Sequence, residues 1–157
     1  MNMEMPTVTD HHRKLEALAG TWVGEEKMFP SPWDPQGGQA LGKTQSRIDI
    51  DGFFLITDYT QERGGKVTFR GHGVIGYSPE TRKYTMWWFD SMGGGCNTEP
   101  PSGTWEGNKL SFSHVTPMGH CRYIYTLEKD GRYGFLMETS QDGNKWAPML
   151  ESMHTRK

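Results

Sequence analysis

The chain has little cysteine, little charge imbalance and no long apolar run, and each shortage removes a class of function. Two cysteines, Cys96 and Cys121, cannot make a disulfide framework, so both are expected as thiols in a reducing compartment. The 17 basic and 19 acidic residues are mixed along the chain, for a net charge of -2. No basic stripe exists to track phosphates, which argues against nucleic acid as a partner. No segment approaches the ~20 apolar residues of a membrane span. Nor does any polybasic or amphipathic stretch suit a membrane surface. Met1 to Lys14 contains no apolar run that could act as a signal-peptide core, so a cytoplasmic protein is expected. Apolar residues make up only 34% of the chain. That favours a thin shell around a partly polar interior over a thick, two-sided core.

What is abundant is glycine beside aromatics: 20 Gly with 6 Trp, 6 Tyr and 7 Phe. That mixture suits many short strands joined by tight turns, as in barrels. At 157 residues the chain is expected to be one domain, with a helix over residues 10–19 and a barrel over 21–156. Asp10 can cap the helix, Leu15, Ala17 and Leu18 give it a short apolar stripe, and Gly20 can end it. Nine turn signals follow, from Ser31-Pro32-Trp33-Asp34-Pro35 through Asp51-Gly52 and Gly64-Gly65 to Asp142-Gly143, and divide the rest into ten strands. Consecutive hairpins without an intervening helix make an up-and-down antiparallel meander. A meander this long closes to remove its edges. The expected fold class is all-β, a ten-stranded lipocalin-like barrel with one short N-terminal helix.

Gly20-Thr21-Trp22, directly after the helix, resembles the start of the first strand in the calycin superfamily of lipocalin and fatty-acid-binding barrels. The resemblance implies that Trp22 plugs one barrel end and that Arg156, near the chain's end, stacks across it. Leu18 to Trp22, Arg47 through Asp51-Gly52-Phe53-Phe54, Gly76-Tyr77, Trp88-Phe89-Asp90-Ser91-Met92 and the Asp142-Gly143…Trp146…Glu151…Arg156 ending extend the likeness over nearly the whole chain. They resemble a bacterial family of lipocalin-like domains called domain of unknown function 1579. That family carries no common reaction, so the resemblance implies the fold and leaves function open. One departure is His154, where the family more often has Tyr.

Turns fix register, and register fixes faces. A two-residue turn at Asp51-Gly52 sets Arg47 opposite Ile56 and Gln45 opposite Asp58. A two-residue turn at Gly64-Gly65 then sets Asp58 opposite Gly71, and the next pairing sets Gly73 opposite Trp88 and Gly71 opposite Asp90. One face thus gathers Arg47, Phe54, Asp58, Trp88 and Asp90 as a ligand-binding wall, or as ordinary surface if it lies outside. The opposite face is apolar enough to form a homodimer interface. In the C-terminal half, Leu110, Phe112 and His114 alternate onto one covered face. Pairing across Met118-Gly119 and Asp130-Gly131 sets Phe112 opposite Tyr125 and puts His114, Tyr123 and Glu138 in a row. A further turn at Asp142-Gly143 brings Met149 beside Leu136 and Glu151 opposite Gly134, on the same wall.

The expected function is binding of a small, largely apolar molecule inside the barrel. The alternative is a cavity enzyme of isomerase, cyclase or lyase type, with Glu138 as general base and His114 and Tyr123 as catalytic partners. Against it stands a hydrogen-bond ladder in which the three groups merely satisfy one another. The six histidines show no paired spacing of the zinc type, so no metal and no cofactor is expected. A related group of haem-carrying barrels has a His on the last strand, where His154 stands, and a haem-binding barrel is the second alternative. Trp33, between two prolines, reads as a lid or a rim residue. Cys96 reads as a bystander.

Overall fold

Thr9 rather than Asp10 caps the N-terminal helix. Its backbone N–H donates to His12 Nδ1 at 3.0 Å, closing the first turn as a capping box does. Asp10 is already helical and pairs with Arg13 at 2.7 Å. Helix α1 (Asp10–Arg13) continues as a 3₁₀ turn over Lys14–Leu18, and its buried side is His12, Leu15 and Leu18. The computed structural model describes residues 3–32, 34–95 and 99–157; Trp33 and Cys96 lie outside the described residues. No helix among the described residues is long and apolar enough to cross a membrane.

From Gly20 onward the chain is strand and turn. The strands are β1 (Gly20–Met28), β2 (Gly38–Asp49), β3 (Phe54–Arg63), β4 (Lys66–Ser78), β5 (Lys83–Asp90), β6 (Ser102–Glu106), β7 (Lys109–Thr116), β8 (Gly119–Leu127), β9 (Tyr133–Ser140) and β10 (Ala147–Arg156). Each pairs antiparallel with its neighbours in sequence, and β10 closes onto β1. The result is the expected all-β, ten-stranded up-and-down barrel with one short helix. Its thinnest seam is β5–β6, held by two residue pairs, Tyr84 with Gly103 and Thr85 with Ser102.

Trp22 plugs the helix end of the barrel. It is fully buried, and its indole N–H donates to Leu18 O at 3.0 Å. Tyr133 meets its ring edge-on, with centroids 4.7 Å apart. The Arg156 guanidinium lies 4.2 Å above the ring and donates to Ala19 O at 2.7 Å. Gly20 is required there: its φ is +131°, and a Cβ would run into the Arg156 guanidinium. Leu15, Leu18, Leu55, Ile75, Tyr84, Met86, Leu110 and Phe112 pack around this plug. They fill the helix end as a solid core.

Candidate functional site

Trp22 fixes which side of β1 faces inward. Alternation then puts Gly24 and Glu26 inside as well, in a pattern of buried residues at 22, 24 and 26. Glu26 is therefore a carboxyl within the barrel, 3% exposed. The Tyr59 hydroxyl lies 2.7 Å from both of its oxygens, and Gln61 Nε2 donates to Oε1 at 3.1 Å. Gly42 on β2 makes room for it, since a Cβ there would lie 2.8 Å from the carboxyl carbon. Burial raises the Glu26 pKa, and the bonds from Tyr59 and Gln61 only partly oppose that. Burial and the adjacent carboxylate also raise the pKa of the Tyr59 hydroxyl. A raised carboxyl carries stability that is full below its unfolded pKa and is lost as the pH rises through its folded pKa. Glu26→Gln should therefore raise the thermal midpoint at neutral pH, read by calorimetry. A lower midpoint would mean that the carboxylate is a net structural asset.

His154 stands two residues from Ser152, which pairs across to Glu26, and is equally buried at 3% exposed. Its ring stacks on Tyr133 at 4.6 Å, and Nε2 lies 2.8 Å from Ser152 Oγ. Nδ1 is buried without a hydrogen-bond partner among the described residues. It faces Gly24, where a Cβ would come within 2.5 Å of it. Burial pushes the His154 pKa down to about 4, so the ring is neutral at pH 7. An axial haem ligand needs a nitrogen lone pair facing open space. Here one nitrogen is taken by Ser152, the other is walled off by Gly24, and a ring face is covered by Tyr133. In this arrangement His154 is a packed, neutral imidazole. Gly24→Ala should cost about 1–3 kcal/mol, as overpacking does, read by urea unfolding.

Toward the end away from the helix, His114 and Tyr123 come together as expected. The Tyr123 hydroxyl lies 3.3 Å from His114 Nε2. Burial lowers the His114 pKa and raises those of Tyr123 and the neighbouring Cys121 thiol. Phe112 pairs with Tyr123, and Tyr125 with Leu110 and Phe135, so Phe112 and Tyr125 also face inward. The turn sits one step earlier than expected, on Pro117-Met118 between Thr116 and Gly119. Proline pre-sets the backbone angle for that position, and Thr116 Oγ1 accepts the Met118 N–H at 3.2 Å. The two-residue slip keeps every face.

Glu138 does not join them. The Glu128–Gly131 turn, with Gly131 at φ +88°, leaves five residues between the paired Leu127 and Tyr133. An odd loop flips all that follows. Tyr123 therefore meets Met137, and Glu138 meets Arg122 on the outer wall. There Glu138 is ion-paired with Arg122, whose guanidinium lies 3.9 Å over the Trp146 ring. Glu151 also faces out, opposite Leu136, and a bulge between Pro148 and Leu150 takes Met149 out of the ladder.

The expected N-terminal wall is split in the same way. Thr68 is an extra residue in β4: Gln61 pairs with Phe69 but Glu62 with Val67. That bulge sets Asp58 opposite His72 rather than Gly71. Trp88 and Asp90 face inward, the Trp88 indole N–H donating to Asp90 Oδ2 at 3.2 Å. Arg47, Phe54 and Asp58 face outward. Arg47 spans Asp49 at 2.9 Å and Asp58 at 3.4 Å, and His72 Nδ1 lies 2.7 Å from Asp58. On this outer face Trp87 and Phe89 are 40% and 43% exposed.

Residues that the sequence reading passed over are Glu26, Tyr59, Gln61 and Tyr133. Glu26 was within reach, because Trp22, Gly24 and Glu26 share parity; its setting in Glu25-Glu26-Lys27 reads instead as exposed charge. Two open grooves also cross the outer wall, of about 700 Å³ beside Lys43, Asp58, Arg70 and His72 and about 520 Å³ beside Lys27, Thr126, Leu136 and Glu151. Among the described residues, no group of three His, Cys, Asp or Glu side chains is placed to hold a metal ion.

No curated protein matches the chain. Among solved structures, the barrel is similar to the crystal structure of Rv2717c from M. tuberculosis, with a TM-score of 0.70 and 14% identity. The match covers 96% of this chain and 99% of that one. At such identity the likeness is one of fold, and it fits the calycin-like expectation. A family model described as "protein of unknown function (DUF1579)" matches residues 7–156, and the chain belongs to that family.

Proposed function

We propose that the chain binds a small, largely apolar molecule inside the barrel, in the half away from the helix. The observation that carries this reading is a gradient of packing along the inner wall. At the helix end Trp22, Leu55, Met86, Leu110 and Phe112 are buried. In the other half the inward-facing Tyr59, Phe69, Trp88, Tyr123 and Met137 are only half-buried. Aromatic side chains left partly uncovered inside a barrel are the lining that an apolar ligand needs. His114, Asp90 and Glu26 supply the few polar groups that orient it. The acid–base alternative assigns the base to Glu138, which is on the other side of the wall; the inward carboxyl that Tyr123 senses is Asp90. The partner in this reading is a small molecule rather than nucleic acid, since Lys43 and Arg70 on the outer groove are interleaved with Asp58.

An environment-sensitive apolar dye, titrated while tryptophan emission is followed, should bind saturably. Cys121→Trp, which fills the inside next to Tyr123, should abolish that binding while circular dichroism still reports a folded barrel. Undiminished binding to folded Cys121→Trp would put the ligand on the outer wall and overturn the proposal.

A further inference from the structure

Two carboxyl groups face the inner wall without a matching cation among the described residues. Glu26 and Asp90 both face inward. Glu26 is hydrogen-bonded by Tyr59 and Gln61, and Asp90 by the Trp88 indole and the backbone N–H groups of Met92 and Gly94. These are neutral donors, and neither carboxyl has an ion-pair partner among the described residues. The cation that Glu26 senses is Arg63, which is held by Asp34 at 2.7 Å. The other inner polar groups near Glu26, namely Thr44, Ser152, His154 and Tyr133, are neutral at pH 7. The Tyr59 ring that holds Glu26 is flanked by further aromatic faces. Tyr59 has its centroid 6.0 Å from Trp88 and 6.1 Å from Phe69. Trp88 lies flat over Gly71 and Gly73, glycines whose missing side chains give it the room.

We infer that the interior takes an apolar molecule ending in a cationic amine, with Glu26 as counter-ion and Tyr59, Phe69 and Trp88 as the aromatic surround. This rests on the binding reading above and names the head group for it. A buried carboxylate gains a partner when an ammonium arrives, and aromatic faces attract the same cation through their quadrupoles. An anionic head group would meet two carboxyl groups and no free cation among the described residues, so the site selects by charge. The apolar chain of the ligand then runs along Tyr123, Met137 and Phe135, which are half-buried on the same inner wall.

Three probes of equal chain length, octylamine, 1-octanol and octanoate, decide the matter when their affinities are compared by tryptophan emission at pH 7. The expected order is amine, then alcohol, then carboxylate, with at least about tenfold between the first two, or about 1.4 kcal/mol. In Glu26→Gln, the amine should lose its advantage and bind no more tightly than the alcohol does to that same variant. Equal binding of amine and alcohol to the unaltered protein overturns the inference without need of any variant, and leaves apolar binding standing. An amine preference that survives Glu26→Gln in a folded protein overturns the role of Glu26. If none of the three binds, the binding reading itself falls.

Discussion

Trp22→Ala is expected to destabilise the protein by about 3–5 kcal/mol, the range for truncating a fully buried large aromatic. For a chain of this size that lowers the thermal midpoint by about 10 °C. Three losses combine. The solid half of the barrel loses its plug, against which Leu15, Leu18 and Tyr133 pack. Leu18 O loses the indole donor, and Arg156 loses the ring it covers. Trp22→Phe keeps most of the volume and loses chiefly the hydrogen bond, so it should cost clearly less. Urea unfolding of both variants checks this. If Trp22→Ala were as stable as its parent, the helix end would not be the structural half of the molecule, and the division between a packed end and a binding end would fail.

Acid should weaken the fold through His154. Its folded pKa, about 4, lies below the ordinary value of 6.5. Above about pH 6.5 the ring is neutral in both states and stability is full. As the pH falls, the unfolded chain takes up a proton that the folded barrel refuses. Stability drops by about 1.4 kcal/mol per pH unit, or about 3 kcal/mol by pH 4. Burial against Gly24 and Tyr133 is the cause, since Nδ1 has no acceptor to share a proton with. His12 and His114, also lowered mainly by burial, act in the same direction. Glu26 acts in the opposite direction, because its raised pKa favours the folded state at low pH. His154→Phe keeps the stack on Tyr133 and removes the titration. Urea unfolding at several pH values should show a shallower acid slope in that variant. Parallel slopes in variant and parent would mean that the loss comes from elsewhere.

The fold was legible because its signals are local. Glycine-rich turns mark the strand ends, and Gly20-Thr21-Trp22 with Arg156 marks the closed end. The pairings Arg47 with Ile56 and Gly73 with Trp88 follow from turn counting alone. The candidate site was legible only in part, because inward-facing residues depend on parity, and parity changes with one inserted residue. Thr68 is such an insertion, and nothing in Lys66-Val67-Thr68-Phe69 marks a bulge. The loop from Glu128 to Arg132 is another. There Asp130-Gly131 suggests a two-residue turn, but the Glu128 N–H reaches the carbonyl of Arg132 at 2.9 Å, and the Asp130 side chain holds Arg132 through its backbone N–H and its guanidinium. Asp58 and Glu138 went to the wrong side for these two reasons. His114 and Tyr123 stayed inside because the slip between β7 and β8 was even.

The most direct measurement places a bound apolar molecule relative to the wall. With 1-octanol saturating the protein, intermolecular nuclear Overhauser contacts from its methylene chain should reach the inward side chains of Tyr59, Trp88 and Tyr123. Contacts confined to the outward Trp87 and Phe89 would contradict the account.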